Sequence, residues 1–160
     1  MNNDGMFTPK GLDGKYLTFS SADQHYAFSI VNVIEIIEIP AFTSVPESQE
    51  YFKGIINLRG RIIPLVDVRL RFGKPEIEYT SRTCVIVVDI GGMEIGFIVD
   101  AVEAVIDIVE SQISPPPSIT LDRSGRYVMG IARVDDRIIL LLDQNRMFSK
   151  DEVDNMKKAL

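Results

Sequence analysis

Short apolar segments rich in valine and isoleucine recur along the chain, separated by glycine, proline and aspartate. Runs of this length between turn-forming residues are typical of β-strands. Their close spacing favours small β barrels over a parallel sheet with crossover helices. The candidate strands are KYLTFSSA, HYAFSIVNVIEIIEIP, FKGIINLR, RIIPLVDVRL, RTCVIVVDIG, MEIGFIVDAVEAVIDI, RYVMGIARVD and DRIILLLDQNR.

Three residue pairs between these strands have the chemistry of tight hairpin turns. Arg59-Gly60 separates IINL from RIIPLV, Gly91-Gly92 separates VIVVDI from MEIGFIV, and Asp135-Asp136 separates GIARV from RIILLL. Glycine and aspartate accept the backbone angles that two-residue turns need. The sequence therefore predicts three β hairpins.

Two segments interrupt the strands with helical signals. PESQEYFK has Pro46 at its first position and acidic residues early, which predicts a helical turn. SKDEVDNMKKAL has Ser149 at the N-cap position, Glu152 three residues later as in a capping box, and lysines toward its end. We therefore predict a C-terminal helix over about 149–160.

An internal repeat organises the strands. Placing Gly54 over Gly130, an offset of 130 − 54 = 76, aligns GIINLRGRIIPLVDVRLRF with GIARVDDRIILLLDQNRMF without a gap. A second match places Phe28 on Phe97, an offset of 97 − 28 = 69, and aligns AFSIVNVIEII with GFIVDAVEAVI. Self-similarity of this kind indicates a duplicated unit. The chain is predicted to contain two homologous β lobes, at about 16–80 and 81–148.

Composition and charge limit the possible partners. The chain is 46% hydrophobic and 25% charged, and its 23 acidic against 17 basic residues give a net charge of −6. Such a field repels phosphate backbones, which argues against nucleic acid as a partner. The first residues lack the pattern of a signal peptide, and no apolar run reaches the roughly 20 residues of a membrane span. These features predict a cytoplasmic protein that does not insert into a membrane.

Candidate catalytic groups are sparse and do not form a known motif. His25 follows a polar stretch at a hairpin and is expected to be exposed, while Cys84 lies in an apolar run and is expected to be a buried small hydrophobe. The sequence has no zinc-ligand spacing and no glycine-rich phosphate loop. Asp67 and Asp143 occupy matching positions in the repeat, so we interpret them as closing a strand end by bonding local backbone.

The segment FSIVNVIEII is more apolar than a strand with one wet face requires. Its apolar side chains point to both faces, so one face is available to the other lobe or to a partner. A β protein without recognisable chemistry most often acts through such surfaces. The apolar positions are Ile30, Val31, Val33, Ile34, Ile36 and Ile37.

The stretch GIINLRGRIIPLVDVRLRFG, preceded by VNVIEIIEIPAFTSVPESQEYFK and followed by VIVVDIGGMEIGFIVDAVEAVIDI, strongly resembles CheW, the coupling protein of bacterial chemotaxis. The resemblance runs from about Tyr16 to Phe148. It implies a single CheW-like domain over 1–160, of the all-β class, with two SH3-like five-stranded β barrels packed around a shared hydrophobic core.

The resemblance also implies a non-enzymatic adaptor that needs no cofactor. CheW-like proteins join the cytoplasmic hairpin tips of methyl-accepting chemotaxis receptors to the regulatory domain of the histidine kinase CheA, and can form rings with the kinase. The implied receptor-binding residues are Leu17, Ile30, Val33, Glu35, Arg59 and Val99. The implied kinase-binding residues are Asn57, Gly60, Arg61 and Pro64, among which Asn57 is expected to fix the turn.

Two alternatives remain open at the level of sequence. Twin barrels could instead enclose a pocket for a small ligand, as a sensor or an enzyme without a recognisable motif. A barrel that binds nucleic acid is the third class, and the net charge argues against it.

Overall fold

The computed structural model describes residues 7–116 and 123–160, which form eleven strands and two α-helices. Each strand is short, with two to eight residues. The elements are β1 (Gly14–Ser21), β2 (Gln24–Ser29), β3 (Val33–Glu38), β4 (Phe52–Leu58), β5 (Arg61–Asp67), α1 (Val68–Arg71), β6 (Cys84–Ile90), β7 (Met93–Val99), β8 (Ala101–Ile108), β9 (Ile113–Ser114), β10 (Val128–Val134), β11 (Arg137–Leu142) and α2 (Lys150–Lys158).

Two of the long predicted strands are each divided in the structure. A 3-10 turn at Ile30–Asn32 separates β2 from β3, and Asp100 alone separates β7 from β8. Because the residues around these bends are apolar on both faces, the hydrophobic pattern shows no interruption there. The sequence therefore predicted one continuous strand in each case. The helical turn predicted for PESQEYFK was also wrong, because the segment forms turns and Glu47 has a φ of 58°, outside the right-handed helical range.

The strands form two sheets. The first, which we call the terminal sheet, has the order β8-β1-β2-β11-β10-β9, and the second, the central sheet, has the order β3-β6-β7-β5-β4. All neighbouring strands are antiparallel except β2 with β11 and β5 with β7, which are parallel. Each sheet therefore joins strands that are far apart in the chain.

The repeat relates the two sheets to each other strand by strand. Replacing β1, β2, β8, β11 and β10 by their repeat equivalents β6, β7, β3, β5 and β4 converts the order of the terminal sheet into that of the central sheet. The register is also equivalent, since Leu141 pairs with Ala27 and Leu65 pairs with Gly96. Each sheet takes a hairpin from one copy and its other strands from the other copy, three in the central sheet and four, with β9, in the terminal sheet.

This exchange corrects the predicted lobe boundaries. The contiguous stretches 16–80 and 81–148 correspond to the two copies of the repeat, but neither copy forms a sheet by itself. Residues 33–99 supply the central sheet, while the terminal sheet combines the beginning of the chain with residues 101–142. Sequence similarity revealed the duplication. It could not reveal which hairpin of each copy pairs with the strands of the other copy.

Both sheets close on themselves in the same way. In the terminal sheet, β8 lies at one end of the strand order, and the chain continues from it into β9, which pairs with β10 at the other end. In the central sheet, the chain continues from β3 to Thr43, which forms a bridge with Ile55 of β4. Closure removes open sheet edges and encloses an apolar interior.

Three apolar clusters fill the molecule. One lies within the terminal sheet around Tyr16, Ile139 and Leu141, and a second lies within the central sheet around Ile63 and Leu65. The third and largest lies between the sheets and contains residues of both. This arrangement, with the C-terminal helix, confirms the mainly-β fold of two barrels around a shared core.

Aromatic rings in the shared cluster follow the repeat. Phe28 and Phe97 are equivalent residues, and their ring centroids lie 5.2 Å apart. On either side of them, Tyr51 packs on Phe148 and the equivalent pair, Tyr127 and Phe72, packs at the same 5.8 Å separation. The centre of the molecule is thus a pseudo-symmetric aromatic core.

The three predicted hairpin turns are confirmed. Arg59 and Gly60 have φ values of 53° and 87°, and Asp135 and Asp136 have values of 48° and 65°. The Gly91-Gly92 turn also has two positive φ values, 59° and 90°. Positive φ at both central residues is the geometry whose twist matches that of antiparallel strands.

The C-terminal helix α2 is capped as predicted and is docked on the domain. The Ser149 hydroxyl accepts from the Glu152 N–H, and the Glu152 carboxylate accepts from the Ser149 N–H. Met156, only 1% exposed, packs into the shared cluster. Neither this helix nor α1 is long and apolar enough to cross a membrane, and no other α-helix occurs in the described residues.

A buried arginine joins α2 to the domain. Arg71 donates two hydrogen bonds to Glu152, of 2.8 and 2.9 Å, and one to the carbonyl oxygen of Met147. Its guanidinium lies 4.6 Å from the ring centroid of Tyr51 and 5.0 Å from that of Phe148. Aromatic faces attract a cation, so this one side chain ties elements of both sheets to the helix.

Replacement of Gly54 by alanine tests the closure of the central sheet. A Cβ atom there would overlap the Thr43 carbonyl oxygen and lie 2.9 Å from a ring carbon of Phe42. We expect Gly54→Ala to lower the free energy of unfolding by about 1–3 kcal/mol, the usual cost of overpacking. Urea denaturation of wild type and variant measures this loss in the free energy of unfolding.

The repeat supplies a matched control. At the equivalent Gly130, the nearest atom to a new Cβ would be a methyl carbon of Ile113 at 3.0 Å, which can shift more easily than a backbone carbonyl. Gly130→Ala should therefore cost less than Gly54→Ala, and a reversed order would contradict the closure by Thr43.

Candidate functional site

The four apolar receptor positions belong to one cluster, at two depths. Leu17 and Val99 are each 1% exposed and lie inside the shared core. Ile30 and Val33 are half-buried and pack against that core from its edge. Leu17 and Val99 can therefore only support a contact surface from below, whereas Ile30 and Val33 reach it.

Beside Ile30 and Val33, three further apolar side chains are open to solvent. Val31 in the 3-10 turn is 86% exposed, and Ile34 and Ile36 of β3 are 44% and 43% exposed. Ile36 lies opposite Ile86, which is fully buried between the sheets. We call Ile30, Val31, Val33, Ile34 and Ile36 the β3 margin. It forms an exposed apolar surface beside the shared cluster that lies between the two sheets.

The turn after β4 is rigid and presents an arginine. The Gly60 N–H donates to Asn57 Oδ1 at 2.8 Å, which closes the turn from inside. Asn57 thus has the turn-fixing role that was predicted for it. The turn places Arg59 at the surface, where its side chain is 64% exposed.

Four charged side chains lie together at this end of the central sheet. Arg59 donates to Glu35 Oε1, and Arg61 donates to the same oxygen at 3.1 Å. Arg61 Nε also lies 3.2 Å from Glu94 Oε2. We call Glu35, Arg59, Arg61 and Glu94 the mouth cluster. It brings together Glu35 and Arg59, two of the implied receptor-binding residues, and links β3 to the β4-β5 hairpin at the opposite end of the strand order.

The arginines change the acidity of Glu35. The hydrogen bond from Arg59 is the main cause that lowers the pKa of this carboxyl from its usual value of 4.5, and the bond from Arg61 adds to it. Partial desolvation opposes the change. Glu35 is therefore ionised at neutral pH and holds both guanidinium groups.

The predicted kinase residues divide into exposed and buried members. Asn57, Gly60 and Arg61 are exposed at the end of the hairpin, but Pro64 is buried within β5 and lies opposite Ile55. Pro64 can shape the strand and has no exposed surface to offer. Ile62, which was not predicted as a site residue, is 42% exposed on the same hairpin.

The equivalent end of the terminal sheet has different chemistry. Glu103 there contacts His25 Nδ1 at 2.9 Å and Arg137 at 3.7 Å. By the offsets of the repeat, Ala104 replaces Glu35 and Asp135 replaces Arg59. His25 is partly exposed at the barrel end, where its ring contacts Glu103, and Cys84 is only partly buried, less than was predicted.

The buried carboxylate Asp67 has a structural role. It accepts from the N–H groups of Arg69 and Leu70 at 2.9 and 3.5 Å, and from the hydroxyl of Tyr79 at 2.9 Å. Burial raises the pKa of its carboxyl. Asp143 likewise accepts from the N–H of Asn145. Both aspartates therefore close a strand end by bonding local backbone, as the repeat predicted.

Among residues 7–116 and 123–160, no group of three or more histidine, cysteine, aspartate or glutamate side chains is arranged to hold a metal ion. An open cleft of about 380 Å³ lies between α2 and the loop before β4, and Glu47, Ser48 and Asn155 are among the side chains that line it. It is separate from the β3 margin and the mouth cluster.

Sequence reasoning missed Glu94 and Ile62. Glu94 is a single charged residue within an otherwise apolar strand, whereas Ile62 lies in the apolar run RIIPLV and gave no signal of its exposure. Glu94 stands between Met93 and Ile95, where a carboxylate needs a cationic neighbour. Nothing in the sequence indicates that Arg61 supplies it, because the two residues meet only when β5 pairs with β7.

Comparisons with known proteins give a consistent result. The family model described as the CheW-like domain matches residues 15–152. The chemotaxis protein CheW of Klebsiella aerogenes is 30% identical over 163 residues, which cover 97% of this chain and 98% of that protein. CheW of Thermotoga maritima is 34% identical over 134 residues, covering 84% and 87%.

A solved structure gives the same answer for the fold. The crystal structure of the scaffolding protein TtCheW from Thermoanaerobacter tengcongensis superposes with a TM-score of 0.81 at 38% identity. The match covers 88% of this chain and 95% of that protein.

Replacing Glu35 by glutamine tests the mouth cluster through pH. Because the folded pKa lies below 4.5, the ionised carboxyl stabilises the fold fully above about pH 4.5, and this contribution disappears as pH falls through the folded pKa. Wild type should therefore be more stable than Glu35→Gln at pH 7, and the difference should shrink toward zero in acid.

Urea denaturation from about pH 2.5 to about pH 7 measures this difference, because the range includes both the protonated and the ionised form of Glu35. Glu38→Gln, at an exposed position on the same strand, controls for the replacement itself. A stability gap between wild type and Glu35→Gln that persists unchanged at the acid end would show that the carboxylate charge is not its source.

Proposed function

The chain belongs to the CheW-like family, and on that premise we propose that it joins the cytoplasmic hairpin tips of chemoreceptors to the regulatory domain of the histidine kinase CheA. It is a coupling adaptor of chemotaxis signalling and not an enzyme. We place it in the cytoplasm, where the receptors would hold it at the membrane without any insertion of its own. Receptor control of kinase autophosphorylation would then pass through its two contact surfaces.

The exposed apolar surface of the β3 margin carries the proposal of a receptor contact. Val31 is 86% exposed, and a solvent-facing valine beside two exposed isoleucines is unfavourable unless a partner covers them. A helix laid along a groove uses apolar side chains at helical spacing as anchors. A receptor hairpin tip is built of helices, so it offers the shape that this surface accepts.

Arg59 adds a charged contact at the end of this apolar surface. Its rigid turn and its exposure place the guanidinium where a receptor carboxylate could reach it. An exposed ion pair contributes little affinity, about 0–1 kcal/mol, so its value lies in orientation and specificity. Leu17 and Val99 support this surface from the core.

For the kinase we propose the outer end of the β4-β5 hairpin. Arg61 and Ile62 are each 42% exposed there, and Asn57 and Gly60 hold the turn. The kinase regulatory domain is itself CheW-like, so barrel ends can meet barrel ends. A second contact through the terminal sheet would let adaptor and kinase alternate in a ring.

Reconstitution of the three components tests the proposal. Receptor fragments and kinase should respond to each other only when this protein is present, measured as kinase autophosphorylation. Val31→Glu places a charge in the centre of the β3 margin without touching the core, and we expect it to weaken receptor binding by about ten-fold.

Val109→Glu is the matched control, because Val109 is 53% exposed and lies beyond β8, on the terminal sheet. It should leave receptor binding unchanged. Equal loss in the two variants, or full coupling by Val31→Glu, would exclude the β3 margin as the receptor contact.

A further inference from the structure

The mouth cluster contains two arginines that share one carboxylate oxygen. Arg59 and Arg61 both donate to Glu35 Oε1, so the two guanidinium groups share a single acceptor atom. Glu35 carries a single charge and cannot neutralise both. What Arg61 does with its remaining donors therefore affects how firmly Glu35 holds Arg59.

Glu94 forms an ion pair with Arg61. Its Oε2 lies 3.2 Å from Arg61 Nε, which draws the guanidinium toward β7 and away from full engagement with Glu35. The other oxygen of Glu94 is buried and has no hydrogen-bond partner in the described part of the chain. Arg61 is thus the group on which this partly buried carboxylate depends, and the ion pair has a reason to persist.

The backbone fixes the positions of these groups. Glu94 lies in β7, opposite Asp89 of β6, and Asp89 is itself occupied in closing the Gly91-Gly92 turn through a 2.9 Å bond to the Gly92 N–H. Arg61 is the first residue of β5, directly after the rigid turn. The competition therefore takes place between side chains on a fixed frame.

We propose that Arg61 and Glu94 are positioning residues that set how firmly Glu35 holds Arg59, and through this how available Arg59 is to a receptor carboxylate. Glu94 restrains Arg61, which leaves Glu35 to Arg59; without Glu94, Arg61 turns to Glu35 and displaces Arg59. The link to the receptor rests on the function proposed above, whereas the competition within the cluster does not.

Opposite effects of two variants test the competition. Glu94→Gln should release Arg61 onto Glu35 and loosen Arg59, so that the side-chain N–H groups of Arg59 exchange faster with water in NMR of the free protein. Arg61→Met keeps the apolar stem but removes the competitor, so those groups should exchange more slowly. Each change should be about three-fold, the scale of one exposed ion pair.

A merely structural role for the two residues predicts something different. If Arg61 and Glu94 only fasten the end of the barrel, both variants should loosen Arg59, and both should do so in proportion to lost stability. Changes in the same direction, or no change in either variant, would overturn the proposal. Glu103→Gln, which removes the equivalent ion pairs of the terminal sheet, controls for charge and should leave Arg59 unchanged.

Receptor binding in the absence of kinase separates this inference from the proposed function. Glu94→Gln should bind a receptor fragment about three-fold more tightly and Arg61→Met about three-fold more weakly, and both differences should vanish when Arg59 is also alanine. Opposite exchange rates without any change in affinity would uphold the competition and refute Arg59 as a receptor contact.

Discussion

The exchange of hairpins between the two copies of the repeat is the constraint from which the rest of the structure follows. Each copy contains a hairpin of its own, but in the structure β1-β2 joins the strands of the second copy and β6-β7 joins those of the first. The exchange carries Phe28 and Phe97 to the same place, where their rings pack 5.2 Å apart. The barrels therefore cannot separate without unpairing strands, which fixes the position of each sheet against the other.

Function is expected where the two copies differ on this symmetric frame. Glycines, core isoleucines and the closing aspartates coincide in both copies and account for the fold. The turn Arg59-Gly60 has become Asp135-Asp136 in the other copy, and Glu35 has become Ala104. Pseudo-symmetry would otherwise give two similar ends, and these replacements give each barrel a chemically distinct surface.

Local chemistry was predictable from the sequence, and long-range pairing was not. The turns, the cap of α2 and the bonds of Asp67 to nearby backbone involve residues a few positions apart, so residue types alone specify them. The hairpin exchange depends on which strand completes which barrel, and the repeat is equally compatible with both pairings. Glu94 was missed for the same reason. Its partner, Arg61, lies in β5, which is separated from β7 along the chain by α1 and β6.

Barrel closure also explains how an exposed apolar surface can lie on β3. This strand is at the end of the sheet order, and an exposed apolar edge strand would invite pairing with another chain. The chain beyond it bridges to β4 at Thr43, and Glu35 reaches across to the β4-β5 hairpin through Arg59 and Arg61. These links cover the edge while Val31, Ile34 and Ile36 stay outside. The charges that close the barrel thus keep these apolar side chains exposed while leaving no open strand edge beside them.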